Sequence, residues 1–420
     1  MIRRGYLFDA IISHSAVVFG VRTLNEDIIK YLKEKTIPLL KVALSDDKSV
    51  IGSHAFQSLQ VGASELNQAV LQSDIFRNIA LELLTDQTTP EYTIGRLASL
   101  TQTFLLNSPE EAQPELGFIF HFLRYCGNPT VFNFWETITG DPRAEKSQQW
   151  LLDMGYSEYV ARELHNFDPS YESKSENKFI DPILTKLFCI YQIIFKSATN
   201  PLLASGFRTQ EIIDAVKQGL KNPPDFIISA QWKALNSLCT AETEFMMRDL
   251  IPKALQYLSE PMTYLAQYRV SALDFIVLMM DFYPSCFSTL KRSMLLQNLT
   301  VLILQFQETT ILHSSFRNFV KKALTDNDYA EVVVTIYSPI MMDIAHRHQN
   351  KVLSPTCFEI MDYFIEQSKK NPVIKKALAT NPEWNEFFKK DFPEYKKLLD
   401  SSYGGYLSGK VVMIFKELFH

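Results

Sequence analysis

Residues 121–165 contain the side chains that could do chemistry. The stretch reads HFLRYCGNPTVFNFWETITGDPRAEKSQQWLLDMGYSEYVARELH and holds His121, Cys126 and His165 beside two tryptophans and several acids. Histidine and cysteine are the usual general base and nucleophile of acyl-transfer enzymes. Here the spacing brings no serine or cysteine close to either histidine. We therefore interpret both histidines as structural.

The same stretch carries the signals that begin and end helices. Gly127-Asn128-Pro129 is a break, with Pro129 suited to the first turn of a new helix. Asp141 followed by Pro142 is typical of an N-cap, and Gly155 of a helix end. Ser157 is predicted to cap the next helix. The elements that position these residues are therefore short helices joined by tight turns.

Apolar residues before and after these breaks recur at helical spacing. In LGFIFHFLRYC one face is formed by Leu116, Ile119, Phe120, Leu123 and Cys126, while Phe118 and Phe122 widen it. Such a helix is expected to be buried by more than one neighbour. Trp135, Trp150 and Trp232 fit similar stripes and are predicted core residues, whereas Trp384 is predicted to be exposed.

Other short motifs do not add up to an active site. GDPR at residue 140 lacks the strands and companion ligands of a metallophosphatase, so Asp141 is interpreted as a helix cap. In MMDIAHRHQN, His346 and His348 would point to opposite sides of a helix, and Asp343 with His346 supplies only two ligands. Gly404–Gly409 follows no strand and is expected to be a turn. The sequence predicts no catalytic residue, metal ligand or cofactor.

The composition excludes several classes of protein. The chain has 420 residues, 46% hydrophobic and 21% charged, as in packed globular proteins. A net charge of −5 gives no field that would attract nucleic acid. The most apolar stretch, VSALDFIVLMMDFY, is too short to span a bilayer and carries Asp274 and Asp281. We expect neither a nucleic-acid partner nor a membrane segment.

Cysteine usage indicates a reducing compartment. The five cysteines lie far apart and form no C-x-x-C pair: Cys126, Cys189, Cys239, Cys286 and Cys357. This spacing is typical neither of a secreted disulfide framework nor of a zinc module. We expect free, buried thiols in a cytoplasmic protein, with the nucleus as a second location.

Helical periodicity recurs along the whole chain, with almost no strand-like alternation. Helix pairs at intervals of roughly 40 residues are typical of HEAT and armadillo proteins. We therefore predict an all-α, armadillo/HEAT-like, right-handed helical-repeat solenoid, forming one domain over residues 1–420. The polar segment 167–179 is predicted to be a loop or a mild hinge. The lysine pairs of 369–397 are interpreted as a solvated face, with an acidic protein partner as the alternative.

Several segments resemble the SAPS-domain family, the regulatory subunits of protein phosphatase 6-type Ser/Thr phosphatases. LRYCGNPTVFNFWETI followed by QQWLLDMGYSEYVAREL is similar to the central region of that family, with Gly127, Trp150 and Leu151 at matching positions. Further similar segments follow the family's order along the chain: NEDIIKYLKEKTIPLLKVAL (25–44), IFRNIALELLT (75–85), TTILHSSFRNFV (309–320) and GGYLSGKV (404–411). The last has an extra residue between its glycines and lacks the family's histidine, which indicates a divergent member.

The resemblance implies a non-catalytic regulatory or scaffold subunit. Such a subunit binds the catalytic subunit of a phosphatase-2A-like enzyme, directs it to substrates and joins further scaffold proteins. The family-matching positions suggest Leu312, His313 and Tyr406 as partner contacts. The alternative is a generic armadillo-like adaptor for transport or assembly with a different partner. A third reading, an all-α enzyme, has no nucleophile, metal cluster or cofactor loop in its favour.

Overall fold

The computed structural model of the chain describes residues 8–46, 49–72, 74–261, 263–347 and 352–400. Every regular element in these ranges is a helix, and no strand occurs in them. The predicted all-α helical-repeat fold is therefore confirmed. The chain divides into two compact units, Met1–Asp249 with Ala266–Ser271, and Leu250–Leu265 with Ala272–His420.

The first unit contains α-helices of four to eighteen residues. They are α1 Phe8–Ile12, α2 Ala16–Arg22, α3 Glu26–Glu34, α4 Thr36–Ala43, α5 Val50–Gln60, α6 Ser64–Leu71, α7 Ile75–Thr85, α8 Glu91–Asn107, α9 Pro109–Ala112, α10 Pro129–Gly140, α11 Glu145–Asp153, α12 Tyr156–His165, α13 Pro182–Thr199, α14 Ala204–Phe207, α15 Gln210–Gln218 and α16 Asp225–Leu238. Short 3₁₀-helices connect them at Gln113–Glu115, Gly117–Tyr125, Pro142–Ala144, Lys178–Ile180 and Glu244–Met246.

The second unit is built in the same way. Its helices are α17 Ile251–Ser259, most of α18 Gln267–Phe282, α19 Phe287–Arg292, α20 Leu295–Gln305, α21 Thr310–Ala323, α22 Asn327–Arg347, α23 Leu353–Ser368, α24 Pro372–Ala379, α25 Trp384–Lys389 and α26 Asp391–Asp400. The 3₁₀-helix Arg248–Leu250 precedes α17, and Pro284–Cys286 precedes α19. The long helix α22 packs against α21, α23, α24 and α25 and forms the centre of this unit.

The helices of the first unit form two layers. In the first layer α5, α8, α10, α13 and α16 each pack against the next. In the second layer α6, α7, the 3₁₀-helix Gly117–Tyr125, α12 and α15 do the same. Contacts between α7 and α8, α12 and α13, and α15 and α16 join the layers. Each helix therefore buries its apolar stripe against the next helix of its layer, as in helical-repeat proteins.

First-layer helices begin at Glu91, Pro129, Pro182 and Asp225, close to the roughly 40-residue period of HEAT units. The widest interval contains the segment 167–179, which is non-helical up to Lys178. Asp181 ties this loop to α13. Its carboxylate accepts hydrogen bonds from Tyr171 Oη at 2.6 Å and from the backbone N–H of Ile183 at 3.0 Å.

Local sequence explains several helix boundaries. Asn128 caps α10, because its Oδ1 accepts from the backbone N–H of Thr130 at 2.9 Å, and Pro129 occupies the first turn. Gly155 ends the preceding helix with φ at +71°, a conformation that favours glycine. Because the chain turns there, α12 begins at Tyr156. The prediction that Ser157 caps this helix is wrong, since Ser157 lies inside it.

Within the described ranges, no single helix has both the length and the apolar composition needed to cross a membrane. The consecutive segments Gln267–Phe282 and Pro284–Arg292, bent by 118°, meet those limits only as a pair. Most apolar side chains of this pair are buried in the protein.

Candidate interaction site

The reactive residue types of 121–165 do not converge. His121 is half-buried in the 3₁₀-helix Gly117–Tyr125, and burial and then Arg124 lower its pKa. His165 lies on the surface at the end of α12, with Nδ1 3.1 Å from Gln218 Oε1. Cys126 is fully buried. Among the described residues no hydrogen bond joins any two of these three side chains, and Cys126 Sγ donates to the Phe122 backbone oxygen at 3.8 Å.

All five cysteines are free and buried, as expected. Burial raises the pKa of Cys189 to about 11 and those of Cys239, Cys286 and Cys357 to about 12. The pKa of Cys126 is also raised well above its ordinary value by burial. Because the thiolate is the nucleophile, these cysteines are unreactive in the folded chain.

Asp141 has the capping role predicted for it. Its Oδ1 accepts from the backbone N–H of Arg143 at 2.8 Å, and Oδ2 pairs with the Arg143 guanidinium at 2.6 Å. These hydrogen bonds lower the pKa of the carboxyl group. The residue thus stabilises the turn Pro142–Ala144.

No group of three or more histidine, cysteine or carboxylate side chains able to hold a metal occurs in the described part of the chain. His348 and the side chain of His346 lie outside the described residues.

The burial of two of the four tryptophans differs from the prediction. Trp135 and Trp232 are fully buried core residues, as expected. Trp150, predicted to be a core wedge, is only half-buried. Trp384, predicted to be exposed, is 7% exposed because it packs beside Phe387 and Leu378 in the second unit.

Leu312 and His313, suggested as partner contacts, belong to the core instead. They lie on α21 and are 1% and 3% exposed. The helical stripe that made them resemble a motif turns both side chains inward, so neither presents a surface to a partner. Burial also lowers the pKa of His313, whose Nε2 has no hydrogen-bond partner among the described residues. Tyr406 lies outside the described residues.

An open groove crosses three consecutive helices of the first layer. It has a volume of about 430 Å³ and lies between α5, α8 and the start of α10. We name it the Arg96 groove, after the residue at its base. Its other lining residues include Phe56, Gln57, Tyr92, Ser99 and Thr130. The helices approach closely at Gly95, where an added Cβ would lie 3.3 Å from the Thr130 side chain.

Arg96 is only 5% exposed, yet it is charged. Its guanidinium carbon lies over two aromatic rings, 4.4 Å from the Tyr92 centroid and 5.1 Å from the Phe56 centroid. Nη1 donates to the backbone oxygen of Ala43 at 3.0 Å, at the C-terminal end of α4. No carboxylate of the described residues comes within ion-pair distance of it. The cation is thus held by rings and a helix end, without an opposite charge.

Sequence reasoning missed this site. In TIGRLASL, Arg96 is the only charge of a helix segment that is apolar or small all around, a pattern indicating that the charge is buried. That signal was available. The contacts of Arg96 with Phe56 and Ala43 could not be predicted, because these residues lie far away along the chain.

No protein-family model and no curated protein sequence matches the chain. Solved structures do match it. The chain is similar to Kap121p bound to Nup53p, with 13% identity and a TM-score of 0.46 over 93% of this chain and 45% of that chain. It is also similar to Kap121p bound to Ste12p, with 13% identity and a TM-score of 0.44 over 93% and 45%. The chain spans less than half the length of these proteins.

Proposed function

We propose that this protein is a non-catalytic adaptor of the helical-repeat type, and that it binds a protein partner in the Arg96 groove. The observation that carries the proposal is the buried guanidinium of Arg96, open to the groove and unmatched by any carboxylate of the described residues. A buried cation is costly unless an opposite charge or several polar groups compensate it.

The compensation supplied by the described residues is incomplete. The Ala43 carbonyl and the two rings contribute partial charges only, whereas a guanidinium forms its strongest hydrogen bonds with a carboxylate. A partner that places an aspartate, a glutamate or its C-terminal carboxylate in the groove would supply the missing charge. The neighbouring side chains suit the rest of such a segment. Tyr92 is 42% exposed and offers apolar surface, and Gln57 offers hydrogen bonds.

The groove is suited to binding rather than to catalysis. Its titratable residues are Glu91, Tyr92 and Arg96, which include neither a histidine nor a thiol. An open cleft across successive helices also accommodates a length of polypeptide better than an enclosed small molecule.

A finer version of this proposal identifies the partner as the catalytic subunit of a phosphatase 6-type enzyme, with the chain as a divergent SAPS-like regulatory subunit in the cytoplasm. The SAPS-like segments support it, because they occur in the family's order along the chain. Three of the shorter segments fall on regular helices: residues 25–44 on α3 and α4, 75–85 on α7 and most of 309–320 on α21. The general adaptor proposal does not depend on this identification.

The test is affinity purification of the tagged full chain from its native cells, followed by mass spectrometry. The groove variant is Gln57→Glu with Thr130→Glu, which places two acids beside Arg96 at exposed positions. The control is Gln68→Glu with Ser64→Glu, an equal change of charge at exposed positions of α6. We expect a stable protein partner with the wild type and the control, and loss of that partner with the groove variant.

Recovery of no stable partner would contradict the adaptor function, and equal recovery with both variants would contradict the groove as its site. A phosphatase catalytic subunit among the groove-dependent partners would support the finer proposal. Recovery of a different partner would support the adaptor function and contradict the phosphatase proposal.

A further inference from the structure

The second unit has a groove of a different chemical character. It has a volume of about 320 Å³ and lies between the end of α23, α24 and α25. We name it the Trp384 groove. Its apolar lining includes Ile365, Leu378, Trp384 and Phe388. Phe388 is 43% exposed, whereas Trp384 is 7% exposed, so the groove has a buried base and an accessible aromatic wall.

Lysines line this groove and recur in the segment that forms it. Lys369 and Lys375 line it directly. Residues 365–390 hold six lysines and three acids, against a net charge of −5 for the whole chain. The six lysines are all exposed, and none forms an ion pair with a described residue: Lys369, Lys370, Lys375, Lys376, Lys389 and Lys390. The groove is thus a local basic area on an acidic protein.

We propose that the Trp384 groove binds a short acidic–hydrophobic segment of a protein partner, with one or two large apolar side chains inside the groove and acidic side chains against Lys369 and Lys375. The inference rests on the proposed adaptor function and adds a second contact to it. A volume of about 320 Å³ is at the lower end for ligand sites and suits one or two side chains rather than a whole helix. The basic rim then selects segments of opposite charge.

A basic surface with apolar residues could also attract an anionic membrane. The geometry favours the peptide, because membrane insertion requires apolar side chains that project outward. Here Trp384 and Leu378 are buried at the base of a concave surface. An anionic lipid surface would contact the lysines without reaching these buried side chains, whereas an acidic peptide would reach both.

The test measures fluorescence anisotropy of labelled synthetic peptides with the purified full chain. In these peptides two large apolar residues, adjacent or separated by alanines, are embedded in aspartates. Matched peptides carry asparagines in place of the aspartates, or alanines in place of the apolar residues. We expect both replacements to weaken binding by about tenfold or more, and added salt to weaken only the binding of the acidic peptides.

Two variants identify the site. Lys369→Glu with Lys375→Glu should weaken binding of the acidic peptides by about tenfold or more, whereas Lys174→Glu with Lys178→Glu, an equal charge change at exposed positions of the first unit, should not. Phe388→Ala should weaken binding, and Phe245→Ala, at a phenylalanine that is 57% exposed, should not. Circular dichroism checks that each variant is folded.

The proposal is overturned if no acidic–hydrophobic peptide binds, or if binding is unchanged in both groove variants. It is also overturned if the chain binds phosphatidylserine vesicles through Lys369 and Lys375 but binds none of the peptides. Because purified components are used, this result is independent of the purification from cells. Peptide binding without a cellular partner would contradict the adaptor function alone, and a cellular partner without peptide binding would contradict this inference alone.

Discussion

The indole of Trp135 stacks on the phenol ring of Tyr156, with ring centroids 5.0 Å apart and planes inclined by 9°. The two residues join α10 to α12, and further aromatic contacts continue from them to Phe134 and Phe207. Both Trp135 and Tyr156 are at most 1% exposed. Aromatic residues of 121–165 such as Trp135 and Tyr156 therefore help to build the core of the first unit.

Trp135→Ala should destabilise the protein strongly, because it removes a fully buried indole from this stack. We expect a loss of about 3–5 kcal/mol in the free energy of unfolding, measured by urea denaturation with circular dichroism. Trp150→Ala is the matched control, and its half-buried position should make the loss clearly smaller. His121→Ala should cost less than about 1 kcal/mol. Equal losses for the two tryptophans would contradict the packing described above.

Gly155→Ala should destabilise the junction between α11 and α12. The backbone there has φ at +71°, so an added Cβ is expected to cost about 1–2 kcal/mol. Gly140→Ala is the control, because it lies at a helix end without positive φ and its new Cβ would meet nothing within 4 Å. That change should be neutral or stabilising. Thermal unfolding of both variants measures the difference. A destabilised Gly140→Ala would contradict the explanation that the positive φ causes the loss at Gly155.

Lys186→Met should destabilise the first unit by leaving Glu163 without its main partner. The Glu163 side chain is 10% exposed and accepts from Lys186 Nζ at 2.9 Å, while Arg124 is farther away at 3.8 Å. We expect a loss of about 1–3 kcal/mol, because the remaining carboxylate stays buried. Adding Glu163→Gln should restore most of the lost free energy of unfolding. A double-mutant cycle in urea gives the coupling, with Lys174→Met as an exposed control.

His313 should make the stability of the protein depend on pH. Burial lowers its pKa in the folded chain below the ordinary value of about 6.5. As the pH falls below about 6.5, the unfolded chain binds a proton that the folded chain does not, so stability decreases toward acid. His313→Leu should reduce this slope between about pH 7.5 and pH 5. Unfolding curves across this range measure it, and an unchanged slope would exclude His313 as a contributor.

The helices and their boundaries were predictable where the signal is local. Asn128-Pro129 and Asp141-Pro142 fix helix starts through bonds to the next few residues, so the sequence alone identifies them. Gly155 was equally predictable as a helix end, because its left-handed conformation depends on the residue type at that one position. The error at Ser157 arose because the αL turn at Gly155 lets the next helix begin sooner.

Features that depend on distant residues were not predictable. Trp384 lies near a helix start, which suggested exposure, but its burial depends on α24 and on Phe387. Leu312 and His313 matched a motif, yet only the packing of α21 against its neighbours shows that they are buried. The base of the Arg96 groove depends on Ala43 and Phe56, each about a helix pair away in sequence.

The two compact units are not consecutive in sequence, and this sets the order in which they are completed during synthesis. The chain enters the second unit at Leu250, returns to the first for Ala266–Ser271, and then leaves it again. On the ribosome, the first unit therefore receives its last residues only after α17 of the second unit has been made. For the same reason, one proteolytic cut cannot release both units whole, because a cut at any single bond leaves one of them without part of its chain.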